Sequence, residues 1–198
     1  KAITLETLRQ DLKVEFDKLE QLQRRVKTLL DYVTLIQQQQ AMSIELVNFA
    51  AIAKTVVADK RSQAGEAGVT LAVDISAESL WVPGDRRRLI EAMTYLLNRG
   101  IKQKSPGQCV VKVWRDQDFA YYEVGDQGES ISPERLEGLW DSFTQISDAL
   151  RGGEGLSLDM ALTRHIAKAH GGETWADSSG QGNKFGFKVP KVQPEEIS

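Results

Sequence analysis

The chain is short of cysteine, of excess basic charge, of histidine and of long apolar runs, and each shortage removes a class of function. Its one cysteine, Cys109, lies in the apolar run Cys109-Val110-Val111. An intrachain disulfide and a cysteine-rich metal site are therefore excluded, and a buried small apolar residue is favoured over a reactive thiol. Lys and Arg number 25 against 28 Asp and Glu, a net charge of -3. No basic stripe exists to neutralise a phosphate backbone, so nucleic acid is not an expected partner, whereas small phosphorylated ligands stay open. No apolar run approaches the roughly 20 residues that cross a bilayer, and no charged and apolar leader precedes the first element. No membrane contact is expected of this piece, and the expected location is cytoplasmic, with a membrane tether left open for a longer protein. The chain opens on Lys1 rather than Met, which reads as a fragment.

Against these absences stands a strong periodicity. Leu5, Leu8, Leu12, Leu19, Leu22, Val26, Leu29, Val33 and Ile36 recur three and four apart, with the Glu15 position missing and Phe16 beside it. This is a heptad seam, so one long helix over residues 4–40 is expected to pair with another helix. The run Gln37-Gln38-Gln39-Gln40 reads as a solvated helix end. Ser43 is then an N-cap for a second helix through Ile44, Val47, Ala50, Ala51, Val56 and Val57. After Gly65 and Gly68 the pattern changes to the alternation Val69, Leu71, Val73, Ile75, which predicts a strand. Pro83-Gly84-Asp85 predicts a turn and N-cap, followed by a helix that buries Leu89, Ile90, Met93, Leu96, Leu97 and Ile101. Strands around Val110 to Trp114 and Ala120 to Val124 form a hairpin across Arg115-Asp116-Gln117-Asp118. A short helix from Pro133 to Ser142, a Gly-rich loop ending at Gly155, and a helix from Leu156 to His170 closed by Gly171-Gly172 follow. Strands near Glu173 to Ala176 and Phe185 to Val189 complete the series. The fold class is α+β: an N-terminal long helix, then an α/β sandwich with helices on one face of a mixed sheet. The expected segments are a dimerisation-type helix over 1–42, a connecting helix over 43–68, a nucleotide-binding unit over 69–190 and a disordered tail over 191–198.

Three features fall in a fixed order along the second unit: a helix polar on one side, a strand ending in Asp126-Gln127-Gly128, and Gly152-Gly153-Glu154-Gly155-Leu156 running into a helix. A strand-end carboxylate such as Asp126 can accept a hydrogen bond from an adenine amino group, and Gly128 lets the backbone approach the base. The second glycine segment can wrap phosphate oxygens with N–H groups, aided by the following helix N-terminus. Lys102 and Arg151 can supply charge to the same phosphates. Alone, an Asp-x-Gly is more often an ordinary turn, and Gly-x-Gly before a helix is often only a cap. The joint pattern is far more specific.

That joint pattern resembles the catalytic ATP-binding domain of sensor histidine kinases, within the wider group that includes the ATPase domains of gyrase and of a major heat-shock chaperone. Asp85 to Lys102 (DRRRLIEAMTYLLNRGIK) looks like the first nucleotide box, and Val124 to Ile131 (VGDQGESI) like the adenine-binding glycine box. Leu139 to Phe143 (LWDSF) resembles the phenylalanine box, GGEGLSLDMALTRHIAKAHGG the last glycine box with its helix, and GNKFGFKVP the closing strand. The likeness covers roughly residues 69–190, and the Leu5 to Ile36 seam looks like the second helix of the family's dimerisation hairpin. The resemblance implies ATP or ADP as ligand, with Tyr95, Asn98, Arg99, Lys102, Asp126, Gly128, Ser130, Phe143, Arg151, Gly153, Gly155 and Leu156 around it. It also implies a homodimer through the Leu5 to Ile36 helix and a response-regulator receiver domain as partner.

Departures from the family's pattern set the functional expectation. Where the family places a magnesium-ligating asparagine, this chain has Arg99, and a guanidinium cannot ligate a cation. One turn earlier, a position usually polar or acidic is Tyr95. Asn98 lies about 100° around the helix from Arg99 and is a poor substitute. Ser130 and Ser157 each replace a glycine, and the lid between Phe143 and Gly153 is short. Arg99 counts against Mg²⁺ and suggests either metal-free charge neutralisation or a blocked pocket. The expectation is a two-component signalling module that binds ATP or ADP weakly or without Mg²⁺, a pseudokinase with weak or lost phosphotransfer and no residue assigned as catalytic. The alternatives are an active kinase region separated from its acceptor-histidine helix and a non-catalytic interaction module. Neither histidine is an acceptor candidate: His165 reads as a partly buried helix residue, and His170 as a C-terminal helix residue facing the dipole.

Overall fold

The structure is a computed structural model that describes residues 42–76, 79–102, 107–141, 158–180 and 182–192, together with 9, 10, 12–16, 18, 19, 22, 23, 26 and 30. The described positions between 9 and 30 are helical, and the seam residues Leu12, Leu19, Leu22 and Val26 among them are solvent-exposed in this single chain. The rest of the expected 4–40 helix, the glutamine run and the tail from 193 lie outside the described residues.

The first strand, β1 (Glu45–Asn48), pairs antiparallel with β3 (Trp81–Gly84) in a small two-stranded sheet. This corrects two expectations. Ile44 and Val47 belong to a strand region rather than to a helix capped by Ser43, and Pro83-Gly84 end a strand rather than make a turn. The cap of α1 (Phe49–Glu66) is Asn48, whose Oδ1 accepts the Ala51 N–H at 3.0 Å. Gly68, at φ 72°, turns the chain out of α1 into β2 (Val69–Ile75). Asp85 caps α2 (Arg86–Ile101) as expected, accepting the Arg88 N–H.

The main sheet also contains β4 (Gly107–Arg115), β5 (Phe119–Asp126), β6 (Glu173–Gly180) and β7 (Gly182–Pro190). Its order is β2-β4-β5-β7-β6, parallel at β2-β4 and antiparallel elsewhere, so the sheet is mixed. Asp116 Oδ1 closes the β4–β5 hairpin by accepting the Asp118 and Phe119 N–H groups. The short helix α3 (Pro133–Gly138) ends before the expected Ser142, and α4 (Asp159–Ala169) is described from Asp159 onward with Leu158 at its N-cap.

Alternation sorts the sheet's side chains. Cys109, Val111 and Val113 of β4, and Ala120, Tyr122 and Val124 of β5, are buried on the helix side. The Phe49 ring meets Phe187 edge-on, and the Tyr122 hydroxyl donates to the Met93 carbonyl, which places α1 and α2 on that face. Gly100 sets the depth of α2: a Cβ there would stand 2.7 Å from Val124 Cγ1 and 2.8 Å from Cys109 Sγ. On the other face Trp114 stacks on Tyr121, and both contact Trp175, whose ring covers Gly186. One buried cluster draws on Val47, Phe49, Ile52, Ala53, Val56 and Val57 as well as on the strands and helices after residue 69.

His170 stands at the C-terminal end of α4, as expected, and meets a carbonyl of its last turn as a neutral ring. Its Nδ1 donates to the Ile166 carbonyl at 2.7 Å and its Nε2 accepts the Asp85 N–H at 3.0 Å, which requires a neutral ring. Burial pushes its pKa below the usual histidine value.

Candidate functional site

The site forms where the end of β5, the last two turns of α2 and the start of β7 come together. Asp126 is 6% exposed, and its Oδ1 accepts the Gly128 N–H at 2.8 Å and the Asn183 amide at 2.9 Å. The β5–β7 register sets Asp126 opposite Asn183, so this pairing follows from strand alignment. Both bonds end on Oδ1, and among the described residues no hydrogen bond is made to Oδ2. A buried carboxylate oxygen in that state can take an N–H from a ligand.

Asn183 reaches further. Its Nδ2 also donates to the Glu129 carbonyl at 3.1 Å, and its Oδ1 accepts the Ser178 hydroxyl at 2.7 Å. Ser178 Oγ accepts the Ile131 N–H at 2.8 Å, and Ser130 Oγ donates to the Ser178 carbonyl at 3.2 Å. Ser130 is therefore tied to β6. At the other end of the loop Gln127 Oε1 accepts the Gln108 N–H at 2.9 Å. Gly182 is obligatory here: its φ is 96°, and a Cβ would lie 1.9 Å from the Asp126 carbonyl oxygen. Gly128 is not in the left-handed region, so backbone conformation does not demand its glycine.

On α2 the Arg99 guanidinium lies over the Phe185 ring, 5.5 Å from its centroid. Phe185 is fully buried and pairs with Val124, two residues before Asp126. Arg99 thus projects across the sheet toward the strand that carries Asn183. Tyr95, one turn earlier, is half-buried and packs on the core. Asn98 Oδ1 is buried without a hydrogen-bond partner among the described residues. Lys102 caps the helix and is exposed. Phe143, Arg151, Gly153, Gly155 and Leu156 lie outside the described residues.

Burial shifts two further titratable groups. Burial, with a smaller contribution from the Asp126 charge, pushes the Cys109 thiol up to about 12, as expected of a packing residue. Burial, with the Arg88 charge, pushes His165 down, and its Nε2 is buried without a partner among the described residues.

The donor set fits a base better than a metal. An Asp126 oxygen that takes no hydrogen bond among the described residues suits an exocyclic amino group. For Mg²⁺, which takes oxygen ligands, the expected position is a cation, and no group of three or more His, Cys, Asp or Glu among the described residues could hold a metal. Sequence reasoning missed Asn183, Ser178 and Gln127. The signal for Asn183 was present as a polar residue opening an otherwise apolar closing strand, but its meaning depends on the β5–β7 register.

The circadian input-output histidine kinase CikA of Synechococcus elongatus is 26% identical over 96% of this chain and 26% of its own length. The chain spans between 13% and 32% of the curated relatives it first matches. Among solved structures, full-length ShkA in complex with AMPPNP superposes with a TM-score of 0.75 at 20% identity, over 98% of this chain and 40% of that one. Histidine kinase ThkA in complex with the response regulator TrrA superposes at 0.73 and 20% identity, over 96% and 53%. These likenesses show the fold. Residues 84–193 match the family model described as histidine kinase-, DNA gyrase B- and HSP90-like ATPase, and the chain belongs to that family.

Proposed function

We propose that this chain is the nucleotide-binding part of a two-component sensor kinase, that it binds ATP or ADP without needing Mg²⁺, and that its phosphotransfer is weak or lost. Asp126 would read the adenine amino group through Oδ2. Tyr95, Asn98, Arg99 and Lys102 on α2, with Gly128 and Ser130 on the loop, would surround the nucleotide together with Phe143, Arg151, Gly153, Gly155 and Leu156.

Arg99 carries this reading. Its guanidinium has five donors, no acceptor and a fixed positive charge, so it can bind phosphate oxygens but cannot hold a metal. Its perch on Phe185, within reach of the strand opposite Asp126, supports charge neutralisation by protein rather than by a cation. Losing the metal removes the main stabiliser of charge on a transferring phosphoryl group, an effect of several kcal/mol. Supplied with ATP, Mg²⁺ and a histidine-bearing acceptor helix, the protein is expected to transfer phosphate at least about a hundredfold more slowly than a family member with asparagine at this position. Ordinary turnover would refute the pseudokinase reading in favour of an active kinase.

A homodimer through the Leu5 to Ile36 helix and docking of a receiver domain are part of the same proposal. Exposed Leu12, Leu19, Leu22 and Val26 support the first, and the TrrA complex of ThkA supports the second. No helix among the described residues is long and apolar enough to cross a membrane.

A further inference from the structure

We infer that Asn183 and Ser178 are positioning residues that build the base-reading corner before any nucleotide arrives. The inference deepens the proposed function and rests on it only for the base that is read. Asn183 is 4% exposed and lies at the start of β7, and Ser178 lies on β6, so neither belongs to the loop they organise.

The shortest contacts give the relay one direction: the Ser178 hydroxyl lies 2.7 Å from Asn183 Oδ1 against 3.4 Å from Ser130 Oγ. The Asn183 amide faces two acceptors, Asp126 Oδ1 and the Glu129 carbonyl, so its nitrogen must point at them and its oxygen away. That oxygen takes the Ser178 hydroxyl proton, which leaves Ser178 Oγ as acceptor for the Ile131 N–H. The chain of bonds runs Ile131 N–H to Ser178 Oγ–H to Asn183 to Asp126. Two consequences follow. The amide occupies Oδ1 with the Gly128 N–H, so the carboxylate presents Oδ2 as its remaining acceptor edge. The 128–131 backbone is held at Gly128 by Asp126 of β5, at Glu129 by Asn183 of β7 and at Ile131 by Ser178 of β6, and a ligand meets a loop already ordered. A hydroxyl in place of the amide could donate to Asp126 or to Glu129, but not to both. The pairing of amide with serine is thus a property of this chain's own residues.

The test uses the whole chain with Asn183→Asp, which swaps the two-proton donor for an acceptor, and Ser178→Ala, which removes one hydroxyl from a partly exposed strand. Amide hydrogen exchange is read without nucleotide at Gly128 and Ile131, whose N–H groups are held by Asp126 and Ser178 side chains. Affinity is then read for ADP and for inosine diphosphate, which carries a carbonyl in place of the adenine amino group. In Ser178→Ala, exchange is expected to rise about tenfold at Ile131 while the Val111 and Tyr122 amides in the central strands stay protected. In Asn183→Asp it rises at both loop positions, and the preference for ADP over inosine diphosphate falls about tenfold. Unchanged exchange in both variants overturns the inference, and so does raised exchange with an unchanged base preference. A wild-type protein that binds neither nucleotide overturns the nucleotide reading instead, and the exchange result still decides whether these residues hold the loop.

Discussion

At the scale of single residues, Asp126 and His170 are the informative carboxylate and imidazole. Replacing Asp126 with Ala removes the proposed base acceptor and leaves the Asn183 amide and the Gly128 N–H without theirs. Calorimetry should show ADP affinity falling by ten- to about a hundredfold, the range for a hydrogen bond to a charged group, and urea unfolding should show a loss of roughly 1–3 kcal/mol. Retained ADP affinity would remove Asp126 from the site. His170 makes a pH prediction whose sign is fixed by its neutral role. Burial depresses its folded pKa below the unfolded value of 6.5, and His165 is depressed likewise. The stability from keeping these rings neutral is complete above pH 6.5 and is lost as pH falls from there toward the folded values. Urea unfolding at pH 7.5 and 5.5 should show the loss. His170→Gln should lower stability at pH 7.5, where the Ile166 and Asp85 bonds are broken or strained, and should flatten the slope without abolishing it, because His165 remains. A slope unchanged by the substitution would contradict the neutral-ring assignment.

Elements were legible to unequal degrees, for physical reasons. The helix 86–101 announced itself through an N-cap and an apolar stripe, both local signals, and the β4–β5 hairpin through alternation around a polar turn. The pairing of Glu45–Asn48 with Trp81–Gly84 was not legible, because two four-residue strands separated by a helix and another strand carry too little periodicity to outweigh a helical reading. Ser43 looked like a cap because it precedes an apolar run. In the structure its backbone N–H bonds Asp85 Oδ2, while Asn48 does the capping. Asn48→Ala should therefore cost about 1 kcal/mol in thermal or urea unfolding, and Ser43→Ala should be close to neutral. The reverse order would restore the helix reading of 44–47. Gly182 shows the same dependence on long-range pairing: as a letter it reads as a turn glycine, and only the register brings it against the Asp126 carbonyl. Gly182→Ala should destabilise by more than about 1 kcal/mol, through left-handed strain and the backbone clash together. At the candidate site, Asp126 and Arg99 were singled out from sequence by local motifs, whereas Asn183 needed the strand alignment.

Over the whole molecule, burial does not divide at residue 69. Phe49, Ile52, Val56 and Val57 share a core with Leu89, Tyr122 and Phe187, which supports a folding unit running from about residue 43 to 190. The family model begins at residue 84 and so covers the nucleotide boxes but not the α1 layer. A chain beginning at Ser43 should unfold cooperatively with nearly unchanged midpoint, and sedimentation should show it monomeric while the full chain is dimeric. A monomeric full chain would remove the proposed seam. The proposed function rests on Arg99, whose guanidinium lies over the Phe185 ring. Titration of ADP by calorimetry, with excess Mg²⁺ and again with EDTA, for the wild type and for Arg99→Asn, addresses it directly. Equal wild-type affinity is expected under both conditions, with weaker binding by Arg99→Asn in EDTA; wild-type binding that requires Mg²⁺ would contradict charge neutralisation by Arg99.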